Sequence, residues 1–100
     1  MGKKSFAQLQ REAAELQHQL VEIGPIMRGS VVRIGTKNKH YYFSLNKDNK
    51  TKLVYLGEKR VEMARMYSEN YKKLLQIVEK VTILNMEIIK KSDGQATENL

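Results

Sequence analysis

A chain of 100 residues with 18 Lys+Arg, 11 Asp+Glu and no Cys or Trp carries a formal charge of +7. Such a length suits one domain that covers about two thirds of its unfolded surface. The lack of thiols excludes disulfide frameworks, zinc fingers and cysteine nucleophiles. No apolar run approaches the roughly 18–20 residues that span a bilayer. The opening MGKKSFAQLQ has no signal-peptide core, and Phe6 stands where a myristoylation signal wants Ser or Thr. The expectation is a soluble cytoplasmic protein that does not engage a membrane.

In chain order, Ser5 followed by Gln8 fits a capping box that opens a helix over about 5–23. Phe6, Leu9, Ala13, Leu16, Leu20 and Ile23 then repeat at alternating steps of three and four, the seam of a coiled-coil-type helix. Gly24-Pro25 ends it, because Gly accepts a C-cap conformation and Pro cannot continue the ladder.

The middle of the chain changes to period two. Ser30, Val32 and Ile34 alternate with Val31 and Arg33, and Tyr41, Phe43 and Leu45 with His40, Tyr42 and Ser44. Thr51, Leu53 and Tyr55 alternate with Lys52, Val54 and Leu56. Strands are predicted over about 30–35, 40–46 and 51–56. Between the last two, a two-residue loop at Asp48-Asn49 sets Phe43 beside Val54 and mixes the faces. A three-residue loop at Lys47-Asp48-Asn49 pairs Tyr41 with Tyr55 and Phe43 with Leu53, and is preferred because it yields one apolar face. Tyr42, Ser44, Lys50, Lys52, Arg33 and Lys37 then face the other way.

From about 58 to 91 the period is helical again. Tyr67, Tyr71, Leu74, Val78, Val81, Asn85 and Ile88 form the expected seam, and ten of the sixteen positions from Leu74 to Ile89 are apolar. The first helix is too short to cover them all. The excess, represented by Leu75, Ile77, Leu84, Asn85 and Ile88, is expected to meet a second copy of the chain. A seam Asn either fixes coiled-coil register or is merely tolerated near a frayed end. Residues 93–100 are polar and aperiodic and are expected to be a disordered tail beyond a single domain over 1–92. The predicted fold is α+β: an N-terminal helix, a three-stranded antiparallel sheet and a long C-terminal helix antiparallel to the first, a helical stalk with a basic β head.

Charge placement is the sharpest functional signal. Residues 27–60 hold nine basic and two acidic side chains, net +7, and the rest of the chain sums to zero. Cations set phosphate affinity, a β-ribbon can enter a groove, and an outward tyrosine can stack on unpaired bases. The candidate contacts are Arg28, Arg33, Lys37, Lys39, Tyr42, Lys50, Lys52, Lys59 and Arg60. The competing explanation is that lysines guard sheet edges against pairing. Tyr41 and Tyr55 are assigned to the core, and Tyr67 and Tyr71 to helix packing.

Enzymatic chemistry finds no support. His18 and His40 lack companion ligands for a metal, and Gly29, Gly35 and Gly57 punctuate strand ends without the Gly-Lys-Ser/Thr cluster of a phosphate loop. No nucleophile has an adjacent base. No cofactor and no small-molecule substrate are expected.

Gly29-Ser30, Tyr41-Tyr42 and Lys50-Thr51 occur in an order that resembles the bacterial and archaeal domain-of-unknown-function family 6788, over about residues 26–89. The resemblance implies an association with transposases or other mobile elements. It departs at IGTKNKH, where the family tends to carry a Cys-rich knuckle, so a metal role for that knuckle does not transfer. The expected function is a small nonenzymatic nucleic-acid-binding protein, DNA favoured over RNA, dimeric through its second helix. The alternative is a helical protein-interaction or oligomerisation module with no nucleic-acid role.

Overall fold

The computed structural model describes residues 4–92. Along the chain lie α1 (Phe6–Glu22), β1 (Ser30–Ile34), β2 (His40–Lys47), β3 (Lys50–Tyr55) and α2 (Val61–Lys91). The α+β order of helix, antiparallel sheet and helix is therefore as the periodicities predict. The tail expected at 93–100 lies outside the described residues. The described residues fall into two compact units, one within residues 4–23 and 74–92 and the other from residues 24–73.

In the first unit, α1 begins on the expected capping box. The Gln8 N–H donates to Ser5 Oγ at 3.2 Å and the Ser5 N–H to Gln8 Oε1 at 3.0 Å, which satisfies two otherwise orphaned donors. Leu9 and Ala13 are buried, and Phe6, Leu16, Leu20 and Ile23 are half-buried along the predicted seam. Lys4 and Leu9 at the start of α1 border the same cleft as Glu87, Lys90 and Lys91 at the end of α2. The two helices thus run antiparallel here.

On α2 the covered apolar positions in this unit are Leu74, Ile77, Val81, Leu84 and Ile88. This corrects the expected seam at two places, since Val78 and Asn85 are exposed. Apolar residues stand at both 77 and 78, so the spacing alone allows either step. A straight helix of 3.6 residues per turn drifts off a strict heptad, and the face follows the drift.

In the second unit, β1 pairs with β2 and β2 with β3, both antiparallel. The turn is Asp48-Asn49, with φ of 53° and 61°. Two consecutive left-handed residues are what a type I′ hairpin demands, and Asp and Asn tolerate that conformation. The pairs are Tyr42 with Tyr55, Phe43 with Val54, Ser44 with Leu53 and Leu45 with Lys52. This overturns the three-residue loop and, with it, the inward placement of Leu53 and Tyr55. A clean apolar face on β3 is unnecessary because β3 is an edge strand with all six residues exposed.

One face of the sheet carries the core. Phe43, Leu56, Val61 and Ala64 are buried together, with Met27, Val31 and Tyr41 packed against them. The Leu56 N–H donates to Tyr41 O at 2.9 Å, which continues the β2–β3 ladder one residue beyond β3. Residues 25–29 run beside the first half of α2. There the Met27 N–H donates to Tyr67 O at 3.1 Å, Ser68 Oγ to Gly29 O at 2.9 Å and Asn70 Nδ2 to Pro25 O at 2.8 Å. Ser68 and Asn70 are buried, and these bonds remove the cost of burying their polar groups.

Candidate nucleic-acid interface

The register sorts the sheet residues onto two faces, because directly paired residues point the same way and alternate along each strand. Val31, Arg33, Tyr41, Phe43, Leu45, Lys52 and Val54 share the core side. Val32, Ile34, His40, Tyr42, Ser44, Leu53 and Tyr55 share the outer side. No Lys or Arg of a strand belongs to the outer set.

Tyr42 faces outward as its alternation predicts. Arg33 and Lys52, expected beside it, sit on the core side instead, and so does Lys50, which pairs with Lys47. For Lys50 and Lys52 the cause is the two-residue turn, since a shift of one residue in the loop exchanges the faces of β3, whereas Arg33 is placed by the β1–β2 register, which sets Val32 rather than Arg33 opposite Tyr42. Arg33 stands opposite Tyr41 with its guanidinium 5.3 Å from the ring centroid, and Arg65 of α2 lies 6.0 Å from the same centroid. Two cations therefore share one aromatic ring, a geometry favourable for each pair yet repulsive between the like charges.

The other candidates divide by what they touch. Arg28 donates to Asn46 O at 3.2 Å, and Arg60 donates through Nε to Leu56 O at 3.0 Å and through Nη2 to Tyr55 O at 2.7 Å. These two guanidinium groups cap backbone carbonyls as well as carrying charge. Lys37 and Lys39 are exposed in the β1–β2 loop, Lys50 and Lys52 are exposed on β3, and Lys59 is exposed in the turn that precedes α2.

The sheet periodicity misses an aromatic row on the outer face. Tyr55 meets Tyr42 at 5.5 Å between ring centroids, inclined at 73°, and His40 at 5.9 Å, inclined at 60°. Edge-to-face contacts of this kind suit ring quadrupoles. Tyr55 remains 49% exposed and Leu53 48%. At the β1–β2 loop end of the sheet, Arg33, Lys39, His40, Tyr41, Tyr55, Gly57 and Glu58 line a cleft of about 390 Å³. The Asp48-Asn49 pair is the signal in the sequence that locates Tyr55 correctly, once it is taken as a two-residue turn.

The expected oligomer contacts on α2 also divide. Ile77, Leu84 and Ile88 are half-buried within the chain, and Leu75 and Asn85 are exposed. Val78, Met86 and Ile89 join Leu75 on an exposed stripe at helical spacing. Among the described residues no three His, Asp or Glu side chains gather as metal ligands would, and no helix is long and apolar enough to cross a membrane.

Comparison with family models, with curated proteins and with solved structures finds no match. The resemblance to family 6788 thus rests on its three short motifs alone.

Proposed function

We propose that this chain is a small nonenzymatic nucleic-acid-binding protein whose residues 24–73 offer cations to phosphates. The observation that carries this is the unpaired state of the basic excess. Among the described residues the ion pairs are Lys4–Glu12, His18–Glu22, Lys72–Glu69 and Lys90–Glu87. None draws on the nine basic residues between Met27 and Arg60, which outnumber the acidic ones there by seven. Uncompensated charge on an exposed sheet and its loops attracts a polyanion and releases its counterions. The Gly29-Ser30, Tyr41-Tyr42 and Lys50-Thr51 resemblance adds a mobile-element setting, with DNA ahead of RNA as ligand.

Binding should weaken steeply as salt rises. In a titration against mixed DNA and RNA, the double variants Lys37→Glu/Lys39→Glu and Lys50→Glu/Lys52→Glu should bind more weakly and flatten the salt slope. Affinity that stays level from low to moderate salt contradicts the proposal.

A second reading, self-association through α2, is favoured by the exposed stripe of Leu75, Val78, Met86 and Ile89. It lies roughly 130° around the helix from the covered stripe of Ile77, Val81, Leu84 and Ile88, so the helix has apolar residues on two sides. A helix with one partner needs only one such side.

A further inference from the structure

We propose that the cleft at the β1–β2 loop end of the sheet receives one nucleotide of a single-stranded nucleic acid, its base against the Tyr55 ring and its phosphate on Arg33 and Lys39. This rests on the nucleic-acid reading above and adds strandedness and a seat for the base.

Two observations favour a single strand over a duplex, and a third favours a nucleotide over an acidic peptide. The first is the character of the outer face. A ribbon that reads a duplex groove offers Arg, Asn or Gln to base edges, whereas the centre of this face is Tyr42, Leu53 and Tyr55 with His40 at one end, and its one Asn, Asn46 at the turn end, accepts from Thr51 Oγ1 at 2.7 Å. Exposed rings complement the π-faces of bases, and a duplex closes those faces by stacking.

The second is the open surface of Tyr55. Its neighbours Tyr42 and His40 meet it at 73° and 60°, so neither stacks flat upon it. A Cβ added at Gly57 would rest 3.5 Å from Tyr55 Cε2. Glycine leaves that part of the ring uncovered, at a φ of 64° that also favours it.

The third is the mixture of groups within one cleft. Its volume of about 390 Å³ lies near the lower end for small-molecule sites. Arg33 and Lys39 supply cations to a phosphate, and Arg33 already shares Tyr41 with Arg65, so an anion relieves like-charge repulsion. Glu58 on the same rim is an acceptor suited to the exocyclic amino group of a base. An acidic peptide would satisfy the cations and leave Tyr55 and Glu58 without complements.

The test is fluorescence anisotropy at low salt with two complementary labelled oligonucleotides of roughly twelve residues, within the usual span of sheet-based sites. Each is titrated alone and after annealing, as DNA and as RNA. Single strands should bind at least about tenfold more tightly than the duplex, and Tyr55→Ala should weaken them roughly five- to hundredfold. Tyr55→Phe should keep single-strand affinity, and duplex affinity should be indifferent to both variants. Because Tyr55 lies outside the core, a thermal melt should find Tyr55→Ala folded. Equal or tighter duplex binding, or single-strand affinity unmoved by Tyr55→Ala, overturns this inference and leaves the nucleic-acid reading standing. If neither form binds at low salt, both fall.

Discussion

Tyr42 and Tyr55 are direct partners across the β2–β3 pair, their rings 5.5 Å apart and nearly perpendicular. This relationship fixes the hairpin register and can be measured in solution. Cross-strand NOEs should connect the backbones of Tyr42 and Tyr55; a Tyr41 to Tyr55 backbone pair would instead demand the three-residue loop. Asn49→Gly, which suits the type I′ turn better, should raise stability by about 0.5 kcal/mol or more. A Gly inserted after Asn49 should lower the melting temperature.

Gly29 has φ 150°, and a Cβ there would lie 2.7 Å from the Phe43 ring and overlap Ser44 O. Both obstacles belong to the sheet, one of them backbone, and neither can yield as a flexible chain end does. Gly29→Ala should therefore cost roughly 1–3 kcal/mol. Urea denaturation would show it as a lower midpoint with an unchanged slope, and a midpoint equal to that of the parent chain would refute the close approach.

Asn70 is buried on α2 and donates to Pro25 O. Removal of the amide in Asn70→Ala leaves that carbonyl without its partner, at an expected cost of about 1–3 kcal/mol. Ser68→Ala, which frees Gly29 O, should fall in the same range. Amide exchange within residues 25–29 should accelerate in both variants; unchanged exchange would mean the bonds do not hold that segment.

The exposed α2 stripe predicts a concentration-dependent mass. Leu75 is 49% exposed and Met86 54%, so aspartate at either position costs the monomer little. Leu75→Asp/Met86→Asp should shift sedimentation toward the monomer while helix content stays constant. Ile77→Asp, on the covered stripe, should instead unfold part of the chain. A monomeric parent at all concentrations removes the case for self-association.

The helices were legible because their signals are local and redundant. Ser5 with Gln8 marks one helix start, and six seam positions from Phe6 to Ile23 all agree on its buried face. On α2 the apolar residues are too numerous to define one phase, so Ile77 and Val78 exchange places. In the sheet, alternation gives each strand a parity but not its partner's. A preference for one apolar face misled on β3, where an uncovered edge tolerates Val54 at 56% exposure beside lysines. The buried Ser68 and Asn70 had no sequence signal, since their partners are carbonyls 39 and 45 residues away.

The order β1-β2-β3, with each strand beside its neighbour in sequence, also bears on how the second unit assembles. A hairpin closed by two residues can form in about 1–10 μs, because little chain must be ordered before its first contacts reward it. The Asn70 to Pro25 bond closes a loop of 45 residues and is expected late. Variants at Asn49 should therefore change the refolding rate, and Asn70→Ala chiefly the unfolding rate. On that schedule the aromatic row forms with the earliest ladder, before α2 docks along residues 25–29.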